Sequence, residues 1–138
     1  MEGGCACGAV RYRLKSDPFD AGWCHCTLCR RVSGAPAMVF ATVPVADLVF
    51  VRGGDVVGIF RSSSFGQRQY CTACGTPLTM QVGHQPETID FTVSTLDRPE
   101  RVPPAFHIFR SAISRRTQAS PPLSGSCLRN QRLSFAPA

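Results

Sequence analysis

The chain of 138 residues has no apolar run approaching the ~20 residues that a membrane-spanning helix requires, so no membrane partner is expected. Its opening residues, Met1-Glu2-Gly3-Gly4, have neither the basic start nor the apolar stretch of a secretory signal, and the cytoplasm is the expected location. No segment of ten or more residues shows a capped 3.6-residue period, which argues against a helical bundle. Acidic residues are missing from the last part of the chain. Residues 110 to 138 hold five Arg and no Asp or Glu, whereas residues 1 to 109 hold ten Lys or Arg against nine Asp or Glu. The formal charge of +6 is therefore a property of the tail, and no nucleic-acid partner is expected from it.

What the chain does have is cysteine. Seven of eight fall into three clusters, Cys5-Ala6-Cys7, Cys24-His25-Cys26-Thr27-Leu28-Cys29 and Cys71-Thr72-Ala73-Cys74-Gly75. In a reducing compartment such spacing points to metal ligands, and pairs this close in sequence are poorly placed to form disulfides with each other. Zinc, two ions per chain, suits the all-thiolate donor set. Seven thiolates are one short of two closed tetrahedra, so one site is expected to be enclosed and structural and the other to keep an open position, as catalytic zinc does.

The economical assignment joins Cys5 and Cys7 to Cys71 and Cys74, with Gly8 and Gly75 supplying permissive backbone after each pair. Binding free energies of about 10 to 16 kcal/mol for structural zinc are comparable with the whole stability of such a domain. Cys24, Cys26 and Cys29 form the second, labile site. Candidates for its fourth ligand are His25, His84, His107 and Cys127, and with one of these in place the site would be merely structural. His25 lies between two ligands, and in an extended segment its side chain faces the other way.

Alternation of Val10, Tyr12 and Leu14 with Arg11, Arg13 and Lys15 marks a strand with one buried face. Further β-rich runs cover 37–43, 48–52, 56–61, 67–71, 78–82 and 88–94, separated by glycines, and one or two helical turns are expected over 27–33, stopped by Gly34 and Pro36. Phe40, Ile89, Phe91 and Val93 read as core, Tyr70 and His107 as packing residues, and Trp23 as either core or substrate wall. Asp97 reads as fixing a turn with Pro99. The fold class is all-β, several small antiparallel sheets stapled by zinc with minimal helix. Residues 1–109 form the domain and 110–138 a basic, flexible tail in which Cys127 is a free thiol.

Several blocks carry a resemblance to a known family. They are Gly4-Cys5-Ala6-Cys7-Gly8-Ala9-Val10-Arg11-Tyr12, Cys24-His25-Cys26 with Cys29-Arg30-Arg31 and Ser33-Gly34, Phe60-Arg61-Ser62-Ser63, Cys71-Thr72-Ala73-Cys74-Gly75-Thr76-Pro77-Leu78, and Leu96-Asp97 with Pro99 and His107-Ile108. In this order, over roughly residues 3 to 109, the chain resembles the glutathione-dependent formaldehyde-activating enzymes, whose domain also occurs in centromere protein V. The resemblance implies strongly coiled sheets, a structural Cys5, Cys7, Cys71 and Cys74 site, and a catalytic Cys24, Cys26 and Cys29 site. It implies addition of the glutathione thiol to formaldehyde, giving S-(hydroxymethyl)glutathione, the reverse being a carbon-sulfur lyase step. The likeness stops at Ser114, after which Arg115-Arg116 stands where the family carries Trp, as a shifted reading frame would produce.

A zinc with three thiolates is formally anionic and a modest Lewis acid, better suited to activating an incoming thiol than a carbonyl. Arg30 and Arg31, directly after the third ligand, are positioned in sequence to offset that charge and to receive the carboxylates of glutathione or a related thiol. A small carbonyl is the second substrate, and an oligomer is compatible with the sequence. The alternative function is a zinc-stapled module that binds a protein or nucleic acid without catalysis, and an inactive homologue is the third reading.

Overall fold

The computed structural model describes residues 1–112; the tail beyond them, with Cys127 and the family departure at Ser114, lies outside the described residues. Ten strands and one α-helix follow in the order β1 (Glu2–Gly4), β2 (Arg11–Leu14), β3 (Phe19–Cys24), α1 (Thr27–Ser33), β4 (Met38–Pro44), β5 (Leu48–Arg52), β6 (Val57–Arg61), β7 (Gly66–Cys71), β8 (Pro77–Val82), β9 (Thr88–Thr92) and β10 (Phe106–Ile108). The protein is thus all-β with minimal helix, as expected. No helix among the described residues is long and apolar enough to cross a membrane.

Two sheets form. The smaller orders its strands β1-β2-β5, and the larger orders them β10-β3-β4-β9-β8-β7-β6. Every pairing is antiparallel except β10 with β3, which is parallel and departs from the antiparallel expectation. Three strands had no sequence signal, β1, β3 and β10. The first and last are three residues long, and β3 carries Asp20 at φ 50° and a register shift between Phe19 and Gly22, which break any alternation.

The period-two pattern of the larger sheet decides where chemistry can sit. Ala41, Val43, Ile89, Phe91 and Val93 turn to one face and join Val10, Tyr12, Leu14 and Leu78 in the main core. Tyr12 is wholly buried, and its hydroxyl shares a 2.7 Å hydrogen bond with Thr95, satisfying the one polar atom that its burial would otherwise orphan. The intervening residues Met38, Phe40, Met80, Asp90 and Thr92 face the other side and help to line a cavity.

Further polar contacts tie the small sheet to the rest. Arg11 donates to both carboxylate oxygens of Asp97, at 2.8 and 2.5 Å. Asp97 therefore clamps β2 to the segment after β9, a role beyond the local turn expected from the sequence. Gly3 and Leu96 form an isolated bridge beside it.

Candidate active site and metal centres

Cys5, Cys7, Cys71 and Cys74 converge, their sulfurs all within 4.8 Å of one another. Zinc–sulfur bonds of about 2.3 Å at tetrahedral angles separate ligand sulfurs by about 3.8 Å. The Cys5–Cys7 and Cys7–Cys71 sulfur separations are 3.4 and 3.9 Å, so the donor set fits one four-coordinate ion, with Cys7 and Cys74 on the solvent side. Gly8 and Gly75 both take φ 75°, the left-handed conformation that lets each turn present its sulfurs. The Val10 amide donates to Cys5 Sγ at 3.2 Å, and Thr76, within 3.1 Å of Cys74 Sγ, helps to hold that thiol down to about 6. Such second-layer hydrogen bonds fix ligand orientation.

Cys24, Cys26 and Cys29 form the other cluster, also with sulfurs within 4.8 Å. Cys24 ends β3, between Met38 of β4 and Ile108 of β10. Cys26 is the N-cap of α1, its sulfur accepting the Cys29 amide at 3.3 Å. The helix, at its expected position, ends at Gly34 with φ 64°. One strand end and one helical turn therefore place three thiols around a common point, and among the described residues no fourth donor joins this group.

The three described histidines stand outside it. His25 turns away, as an alternating backbone requires, and its Nε2 lies 2.8 Å from Nδ1 of His107. The rings stack at 5.1 Å, and His107 stacks in turn on Trp23. Burial, then the charges of His107, Arg110 and Arg30, lower the pKa of His25, favouring a neutral ring. His84 lines the cavity rim against Phe65.

The three-cysteine cluster opens on a cavity of about 310 Å³ lined mainly by apolar side chains, with Phe65 and Phe109 exposed at its edge. Phe40 is part of this wall and only partly buried, a correction to its reading as core; Phe91 is core and wall at once. Trp23 is not part of the lining, and neither are Arg30 and Arg31, which occupy the last turn of α1. Arg31 is exposed, while Arg30 reaches Thr27 at 3.4 Å and has its Nε buried without a partner.

The cation inside the cavity is Arg68. It projects from β7, is 4 % exposed, and donates to Cys29 Sγ at 3.3 Å and to Met38 Sδ at 3.9 Å, with its Nε unpartnered. From β3 to β7 is four strand steps, about 19 Å in a flat sheet at about 4.8 Å per step. The larger sheet is therefore far from flat across the cavity, since Arg68 reaches both Cys29 of α1 and Met38 of β4. The Cys24 thiol and then Arg68 hold Cys29 down to about 5 against burial, while the contact with Cys29 and burial push Cys24 up. Nothing in the local sequence Gln67-Arg68-Gln69 singled this residue out. Asp90, also in the lining, accepts from Thr42 at 2.7 Å, and burial raises its pKa.

Fold and clusters together define a small β protein with one four-cysteine cluster and one three-cysteine cluster facing a cavity, each able to hold a metal ion. The chain belongs to the family described as glutathione-dependent formaldehyde-activating enzyme, which matches residues 1–112. A Halomonas elongata protein named "Putative glutathione-dependent formaldehyde-activating enzyme" is 31% identical over 113 residues, covering 74% of this chain and 72% of the relative. A Schizosaccharomyces pombe protein named as an uncharacterized lyase is 34% identical over 77 residues, 56% of this chain and 54% of that one. The crystal structure of a Rhodobacter sphaeroides protein superposes with a TM-score of 0.64 at 28% identity, covering 78% of this chain and 99% of that one.

Proposed function

We propose that the protein is a zinc-dependent carbon-sulfur lyase of the formaldehyde-activating type, working in the cytoplasm. It would join glutathione or a related thiol to formaldehyde or another carbonyl compound, giving S-(hydroxymethyl)glutathione in the simplest case. The observation that carries this reading is the cluster of Cys24, Cys26 and Cys29 at the wall of a cavity, with three donors where the other cluster has four.

Zinc held by Cys24, Cys26 and Cys29 would supply an open coordination position at which a thiol is acidified. Arg68 offsets the negative charge of the thiolates through its hydrogen bond to Cys29, and being buried it does so with little screening by water. Cys5, Cys7, Cys71 and Cys74 are assigned the structural ion. Arg30 and Arg31 are assigned the carboxylates of the thiol substrate, at the outer end of α1 where charged groups can stay hydrated. In the addition, the sulfur forms a bond to the carbonyl carbon, the C=O π bond breaks, and the thiol proton ends on the oxygen. The lyase direction reverses each change.

The test is exchange NMR between carbon-labelled formaldehyde and S-(hydroxymethyl)glutathione, with and without reduced holoprotein. Exchange is expected to accelerate with the wild type and to fall to the uncatalysed rate with Cys26→Ser, which keeps the four-cysteine ion. Equal exchange rates with and without wild-type protein would contradict the reading.

A further inference from the structure

The cavity is far larger than formaldehyde needs. At about 30 Å³ for a water-sized molecule, a two-heavy-atom carbonyl leaves most of the 310 Å³ unfilled. The space is not built for the rest of glutathione either. That tripeptide carries two carboxylates and an ammonium, and burying each unpaired is costly. Arg68, the guanidinium in the lining, is already directed at Cys29 and Met38, and Asp90 is engaged by Thr42. Most of the wall is apolar, from Met38, Phe40, Met80, Val82 and Ile108, continued outward by the exposed ring of Phe65, with Ser62, Ser63, His84 and Gln85 among the fewer polar groups. Sites that bind small molecules have this composition, with a few polar groups fixing orientation.

We propose that the carbonyl substrate is an aldehyde with an apolar alkyl or aryl body of about six to eight carbons, the size that fills 310 Å³ at about 30 Å³ per heavy atom once the carbonyl is placed. This rests on the thiol-addition reading above. The thiol sulfur adds to the aldehyde carbon, its proton passes to the oxygen, and the product is a thiohemiacetal whose apolar side chain fills the cavity. The charged ends of the thiol stay outside the apolar walls.

S-alkylglutathiones serve as stable mimics of such adducts. Binding of the S-methyl, S-propyl and S-hexyl compounds to zinc-loaded protein, measured by calorimetry beside glutathione itself, is expected to tighten about fourfold per methylene. Met80→Gln, which places an amide in the wall, is expected to flatten that slope while native mass spectrometry shows both zincs retained. A wild-type series that binds without tightening overturns the apolar-substrate proposal and leaves the glutathione reading standing. Failure of glutathione and of all three conjugates to bind overturns the glutathione reading itself.

Discussion

At the scale of the residue, Arg68 carries the most consequence per atom. A buried guanidinium beside the sulfur of a candidate metal ligand is a charge whose removal would leave the cysteine cluster uncompensated. Replacing it with Met, which suits the neighbouring Met38, is expected to weaken zinc binding at Cys24, Cys26 and Cys29 by about 10- to 100-fold. Chelator competition would measure this, and the four-cysteine ion should be unaffected; equal affinity at the second cluster would refute the role. Asp97 offers a smaller test. The Arg11 guanidinium lowers its pKa below the ordinary 3.8, so its contribution is present above that value and is lost as pH falls through the folded one. With both partners partly exposed, Asp97→Asn is expected to cost less than about 1 kcal/mol at neutral pH. Denaturant melts should show wild type and variant converging below the ordinary carboxylate range. These two residues also mark the limit of sequence reading. The cysteines declare themselves by spacing, whereas Arg68 and the Arg11–Asp97 clamp depend on strand neighbours that are remote in the chain.

Elements differ in the same way. Runs with clean alternation, such as β2 and β9, and the helix bounded by Gly34 were legible because their signals are local. The strand that delivers Cys24 was not, since its Asp20 and Gly22 obscure any period and its pairing with β10 is set from the far end of the domain. Gly22 has a specific reason to be there, because a Cβ would lie 2.5 Å from the Phe106 ring. At Gly34 a Cβ meets nothing within 4 Å. Gly34→Ala therefore incurs only the cost of the left-handed backbone, roughly 1 kcal/mol, and should lower the unfolding midpoint without displacing metal. A loss of the second ion in Gly34→Ala would show instead that the end of α1 controls the geometry of Cys29.

For the whole molecule, the larger sheet separates two tasks. One face and the small sheet build the core, and Cys5, Cys7, Cys71 and Cys74 join the start of the chain to the β7–β8 turn. The other face holds the cavity and the three-cysteine cluster. The grouping of the cysteines was legible, because spacing gives a pair, a trio and a pair, and the economical joining of the two pairs is the grouping that the structure brings together. The cavity was not, because the face of β4, β8 and β9 that lines it reads as ordinary strand. Two classes of cysteine variant should follow. Cys71→Ser is expected to unfold or aggregate the protein, since structural zinc contributes about 10 to 16 kcal/mol, whereas Cys26→Ser should remain folded by circular dichroism.

The most direct measurement is native mass spectrometry of freshly purified, reduced protein with and without glutathione. The account predicts two zinc ions and a glutathione adduct, the adduct and one zinc vanishing in Cys26→Ser while the other zinc stays. Two zinc ions with no glutathione adduct in the wild type would contradict an open, thiol-accepting site.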